Sequence, residues 1–165
     1  VFSVQFESDA AAVQDSVDRQ ARRVMMRAGA FLRRRAISLL RRRKSPSRAG
    51  EPPSVHSTDA RSLKNIRFEY DPAERLLVVG VMPLDGAKTA VAEPSDKLPN
   101  VLEFGGTVAL AEEQTKNGRW RRVISGRQPH RDRPQRRRTV TVAPRPFMGP
   151  ALDAEIPTLI DLWSE

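Results

Sequence analysis

The chain has 165 residues, with 29 Lys and Arg against 20 Asp and Glu, a formal charge of +9 and no cysteine. The missing cysteine removes any disulfide framework, thiolate metal site or cysteine nucleophile, and two histidines, His56 and His130, cannot build a His-rich metal centre. The charge is segregated: Val17 to Gly50 carries +11, Thr115 to Phe147 carries +10, and everything else carries −12, a pattern that suits either a polyanion partner or a basic-to-acidic contact between subunits.

The first element expected is a long helix within 1–44, from about Ser8 to Arg43. No proline interrupts it, Gly29 is its single glycine, and apolar residues recur at Val13, Val17, Ala21, Val24, Ala28, Phe31 and Leu32, then Ala36, Leu39 and Leu40. Spacings of three and four are the period of an amphipathic helix, whose stripe should rest on a sheet. Ser8 or Asp9 can cap its start. Early acids (Asp9, Asp15, Asp18) and late bases (Arg33 to Arg35, Arg41 to Lys44) complement the helix dipole, which explains part of the basic charge and leaves a surplus.

Residues 45–62 hold Pro46, Gly50, Pro52 and Pro53 and read as a loop. A β-hairpin is expected over 63–82. Ile66, Phe68 and Tyr70 alternate with Arg67 and Glu69, Asp71-Pro72-Ala73-Glu74 has type I turn chemistry, and Leu76 to Val81 is a continuous apolar strand. Residues 83–100 form a second long loop, of a length that is usually functional, mobile or ordered by a partner. Strands with a basic loop fill 101–142: Val101 to Phe104 leads into Gly105-Gly106, Thr107 to Leu110 reads as a strand, Gln114-Thr115 and Trp120 to Ile124 flank an Asn117-Gly118 turn, Gly126 to Arg138 is a basic mobile loop, and Arg138 to Val142 alternates as a strand. Residues 143–165 end in a helix that Pro150 starts and Pro157 kinks or splits. The expected fold is α+β: a long N-terminal and a short C-terminal helix on an antiparallel sheet, with extended loops, in one domain. Only 5% of residues are aromatic, so an aliphatic core is expected, with stability gained from partner subunits.

No catalytic motif is found. There is no phosphate-binding glycine loop and no nucleophile elbow. His56 lies among Ser54, Ser57, Thr58 and Asp59, but neighbours in sequence are not a triad. Glu103, Glu112 and Glu113 lack the spacing of a carboxylate metal site, and the Glu112-Glu113 pair beside a turn reads as surface. Trp120 among Arg119, Arg121 and Arg122 is expected to pack across a hairpin with guanidinium groups over its faces. No enzyme activity, cofactor or metal is expected. No apolar run approaches the ~18 residues of a membrane span, and Val1–Asp9 lacks the basic start and apolar middle of a signal peptide, so a soluble chain in a reducing compartment is expected.

Several pieces occur in a telling order: the Arg-rich helix, GEPPSVH (Gly50 to His56), IRFEYDP (Ile66 to Pro72), VVG (Val78 to Gly80), VLEFGGT (Val101 to Thr107) and RPFMGPAL (Arg145 to Leu152). This set resembles the neck and minor tail-component proteins of long-tailed phages, which join head to tail, and the resemblance covers nearly the whole chain. It implies a homo-oligomeric ring of six or twelve subunits around the DNA channel. The partners would be head-completion or adaptor proteins and tail-tube or terminator proteins, and the place the virion neck, after assembly in the host cytoplasm. A terminator capping the tail tube and a small basic host nucleic-acid-binding protein are the alternatives. On this reading, Arg41, Arg42, Arg43, Lys44, Arg119, Arg121, Arg122, Arg136, Arg137 and Arg138 contact DNA or an acidic partner. Glu103, Phe104, Gly105, Gly106, Arg145, Pro146, Phe147, Met148, Gly149 and Pro150 are scaffold and interface positions.

Overall fold

A computed structural model describes residues 9–56, 62–82, 97–123 and 132–164. Helix α1 (Ala10–Leu39) begins where the Asp9 carboxylate accepts the Ala12 N–H at 3.0 Å, satisfying one of the donors a helix start leaves open. It ends four residues before the expected Arg43. Arg41 to Lys44 therefore lie beyond the helix, its last turn holds no base, and the dipole accounts for less of the basic charge than the sequence suggested.

Thirty residues make α1 roughly 45 Å long. What packs on it is much shorter. Strands β1 (Ile66–Asp71) and β2 (Leu76–Val81) have six residues each, or about 20 Å. The C-terminal helix α3 (Met148–Asp161) has fourteen, or about 21 Å. So only the later part of α1 is covered: Val24, Ala28, Gly29 and Ala36 are buried, while residues 9–20 are all exposed. The expectation that Val13 and Val17 help hold the helix on the sheet fails, because their stripe outruns its support.

Strands β1 and β2 pair antiparallel from Ile66↔Val81 to Asp71↔Leu76. The Asp71 carboxylate accepts the Ala73 N–H at 2.9 Å and fixes the turn, which closes with Arg75 in the left-handed region at φ 51°. The hairpin starts at Ile66 rather than Leu63, since Ser62 to Asn65 forms a turn. Ile66, Phe68 and Tyr70 point inward as their alternation implies. Gly29 lets β1 approach, because a side chain there would collide with the Phe68 ring.

The core has two parts. Phe147, Leu40, Ile66, Ala36, Val55 and Ala151 join α1, β1, the Pro-rich loop and α3. Val24, Ala28 and Leu162 join α1 to the end of α3. The loop after α1 is knitted in: Val55 N–H bonds Arg41 O at 3.2 Å and Gly50 N–H bonds Pro144 O at 2.8 Å.

Two corrections concern 97–104. Lys97–Phe104 is helix α2, so residues 97–100 are not loop and Val101 to Phe104 is not a strand lead-in. Pro99 is tolerated because first-turn N–H groups have no helical partner. Residues 83–96 lie outside the described part. After α2, β3 (Gly106–Gln114), β4 (Trp120–Arg122) and β5 (Gln135–Val142) form a second antiparallel sheet in the order β4-β3-β5. Strand β5 begins at Gln135, which places Arg136 to Arg138 in a strand instead of the expected loop; residues 126–131 of that loop, and residues 124–125 before it, are outside the described part. Helix α3 begins two residues before Pro150 and runs unsplit through Pro157. The molecule is thus α+β, with two separate sheets in place of one. Helix α1 packs on β1, β2 and α3, whereas the second sheet meets the helices through α2. No described helix is long and apolar enough to cross a membrane.

Candidate functional site

The two segments that carry the resemblance meet in space. Helix α2 ends at Phe104, and Gly105 turns the chain at φ 76° against Pro144, with little room for a side chain between Pro144 and the Val142 carbonyl. This is a left-handed helix stop that only glycine adopts without strain. The turn directs β3 alongside β5, and Glu103, one turn back, faces the start of α3. Its carboxylate accepts three N–H groups: Phe147 at 2.9 Å, Met148 at 3.0 Å and Gly149 at 2.7 Å. Helix α3 has no side-chain cap of its own, so Glu103 fills the anion position at its positive end. Gly149 admits the carboxylate closely. The Arg145 N–H bonds Leu102 O and its guanidinium reaches Ser47 O at 3.2 Å.

Phe147 is fully buried in the main core and anchors the start of the last helix there. Pro146 precedes it, and Met148 and Pro150 open the helix. Gly106 continues into β3 opposite Val142. Phe104, by contrast, is 80% exposed. It edges a hollow of about 340 Å³ between α1, β2 and α3, lined by Leu32, Leu77, Val79, Met148 and Leu152.

The basic candidates divide into two sets. Some hold the fold. Arg43 binds Glu51 at 2.5 Å, Arg121 binds Glu113 at 2.6 Å and Arg136 binds Glu112 at 2.7 Å. Arg41 donates to Ser38 O at 3.2 Å. The Arg136 guanidinium also lies 4.2 Å from the centre of the Trp120 ring, so the cation over Trp120 comes from β5, two strands away, and not from the adjacent arginines. The other set is exposed and has no side-chain partner among the described residues: Arg42, Lys44, Arg119, Arg122, Arg137 and Arg138. In β4 and β5, Arg122 and Arg138 share one face of the sheet, while Arg137 lies on the other.

Glu112 and Glu113 are buried, not surface residues, with Glu113 only 3% exposed. Arg121, Arg133 and Arg136 enclose them. Buried carboxylates keep their charge when paired and hydrogen-bonded, and here the ion pairs bind three strands together. The signal missed in the sequence is the alternation itself: a Glu pair in a strand puts one acid on each face, and the basic strands on both sides supply an arginine to each. No group of acids and histidines suited to a metal ion occurs among the described residues.

His56 Nε2 lies 3.3 Å from Ser54 Oγ; Asp59 is outside the described part. Glu51 is held below its ordinary carboxylate pKa, first by the Arg48 N–H at 3.4 Å and also by the Arg43 guanidinium. No family model, curated protein or solved structure matches this chain.

Proposed function

We propose that this chain is a structural, non-enzymatic subunit of the neck of a long-tailed phage. It assembles as a ring between the portal-side adaptor and the tail and surrounds the DNA channel. The observation that carries the reading is the surface left open on the single chain. Val13, Val17, Leu76, Val78 and Phe104 are exposed, and Leu152, Ile156, Ile160 and Trp163, spaced four, four and three along and just past α3, are exposed on one helical face; an apolar stripe of that kind marks a contact with another protein. The resemblance of the VLEFGGT and RPFMGPAL segments supplies the neck. The meeting of those segments around Glu103 supports a scaffold role for both, since a carboxylate saturated by three backbone donors has little capacity left for a substrate.

The arginines split along the same lines. Those bound to Glu51, Glu112 and Glu113 build the subunit. Arg42, Lys44, Arg119, Arg122, Arg137 and Arg138 remain for DNA passing through the channel or for acidic faces of neighbouring proteins. The test is to image the purified protein by negative stain and weigh it by light scattering without nucleic acid. Rings of uniform size are expected. A monomer that binds DNA with a steep salt dependence would instead identify a host nucleic-acid-binding protein.

A further inference from the structure

Strand β5 is an edge of the second sheet, paired with β3 on one side only. The phase of the hydrogen bonds fixes which of its backbone groups face outward. The Gln114 N–H bonds Pro134 O at 2.9 Å, and on the other side of β3 the Val123 N–H bonds Ala111 O at 2.8 Å. Directly opposed residues of an antiparallel pair exchange bonds at every second position. Arg136, Arg138, Val140 and Val142 therefore bond toward β3, while the N–H and C=O groups of Arg137, Thr139 and Thr141 point away from it. These three residues are exposed, and no backbone partner for their outward groups occurs among the described residues.

A row of outward donors and acceptors fits an extended chain laid alongside. The side chains select which one. Arg137 and Arg138 are exposed on opposite faces of β5, and β5 holds no acid. The two carboxylates of β3 are already committed: Glu112 binds Arg136 at 2.7 Å and Glu113 binds Arg121 at 2.6 Å. A second β5 on this edge would gather three arginines from each copy into one sheet, and clustered like charges guard an edge against such pairing. The fold itself shows the kind of strand that β5 accepts. Strand β3 lies antiparallel to it and carries two adjacent acids, one on each face, with Glu112 opposite Arg136. Opposite Thr139, Val140 and Thr141 it places Ala109, Val108 and Thr107.

We infer that the outer edge of β5 takes up an extended acidic segment of a partner protein as an added antiparallel strand. Its backbone pairs at Thr141, Thr139 and Arg137. Two consecutive Asp or Glu residues fall opposite Arg138 and Arg137, one on each face of the sheet. The small or β-branched residues before them lie opposite Val142 to Thr139. Strand β5 is then held between two acidic strands, its own β3 and the partner's. Main-chain bonds supply much of the affinity, and opposite charges across the strands supply the selection. The pairing depends on the arm alone, so it does not rest on the neck assignment.

The probe is a fluorescein-labelled peptide, TVTVEET, titrated with the full chain and followed by anisotropy. In the antiparallel register its fourth residue lies opposite Thr139 and bonds to it. N-methylation at that residue removes a bonded N–H and is expected to weaken binding about tenfold. N-methylation at the third residue, whose N–H points away from β5, is expected to leave binding unchanged. Thr139→Pro removes the matching donor from β5, a change that an edge strand tolerates; it should lose the peptide and keep the wild-type melting temperature. Arg137→Glu combined with Arg138→Glu should reject TVTVEET and bind TVTVKKT instead, which decides the matter if Thr139→Pro does not fold. Equal binding of the two methylated peptides would mean attraction by charge alone and overturns the inference. Displacement of the peptide by a duplex oligonucleotide from wild type and Thr139→Pro alike would mean a general polyanion surface and overturns it too, as does no binding of the unmodified peptide.

Discussion

The body and the three-stranded arm are held together by different physics. In the body, α1, the hairpin and α3 close over Phe147, Leu40, Ile66 and Val24, which are almost wholly buried. In the arm, β4, β3 and β5 share a hydrogen-bonded ladder, but most of β5 is exposed. The arm's central strand is anchored by Glu112 and Glu113 clasped by arginines. Apolar burial is non-directional and scales with area, so the body should tolerate changes at its rim and fail when its centre is emptied. Ion pairs depend on geometry and on keeping both partners. The arm should therefore respond locally, and more sharply to the loss of one charge than to lost volume.

Emptying the centre of the body should give the largest effect. Phe147→Ala is expected to cost about 3–5 kcal/mol, read by chemical denaturation, with the arm lost in the same transition because its base is tied to α3 through Glu103. A cost below 1 kcal/mol would mean that the two core clusters are not one cooperative unit.

The junction between the regions comes next. Glu103→Ala removes the acceptor for three N–H groups at the start of α3, and a loss of about 2 kcal/mol is expected. Glu103→Gln, which keeps one acceptor oxygen, should recover part of it. If Glu103→Ala melts like wild type, the junction is not what couples arm to body.

A change inside the arm should be smaller and confined. Arg136→Ala leaves Glu112 without its partner and uncovers Trp120, so the Trp120 fluorescence should shift and amide exchange in β3, β4 and β5 should quicken. In a Trp163→Phe background the fluorescence reports Trp120 alone. The global cost should be about 1 kcal/mol, because the Arg136 side chain is itself 44% exposed. Faster exchange in α1 and α3 as well would erase the distinction between the regions.

The smallest effect lies in the loop between them. Glu51 has a depressed pKa in the folded chain, so its contribution is present above the ordinary carboxylate pKa and is lost as pH falls through the folded value. Stability measured from neutral to acid pH should decline slightly less in Glu51→Gln than in wild type over that window, and the neutral-pH stability of the variant should be slightly lower.

What the sequence disclosed follows the same division. The body was legible because its signals are local. The three-and-four spacing gave α1, and alternation with an Asp-Pro turn gave β1 and β2. The arm and the junction depend on partners distant in the chain. Eight residues from Lys97 to Phe104 hold too few turns for a helical period to stand out, and Pro99 argued against a helix. Glu112 and Glu113 looked like surface acids because the arginines that bury them lie 8 and 24 residues later. Glu103 gave no sign of being a helix cap because the helix it caps begins 45 residues on. The basic runs were legible as charge but not as roles: the sequence could not separate Arg136, which is spent inside the sheet, from Arg137 and Arg138 beside it. That separation comes from what each residue faces on β3: Arg136 lies opposite Glu112, Arg137 opposite Ala111 and Arg138 opposite Leu110.

The closure at Gly105 has a consequence for how such a chain can vary. The arm leaves the body after α2 and returns at Val142, with Gly106 paired to Val142 and Gly105 packed against Pro144. Its entry and exit are therefore side by side, fastened by backbone that does not depend on what lies between. Lengthening a loop closed at such a base adds little entropy cost, about 0.6 kcal/mol per doubling. The arm can thus be exchanged as a cassette, longer or shorter beyond Asn117-Gly118, more basic or less, while the body keeps its core and its helical seams unchanged.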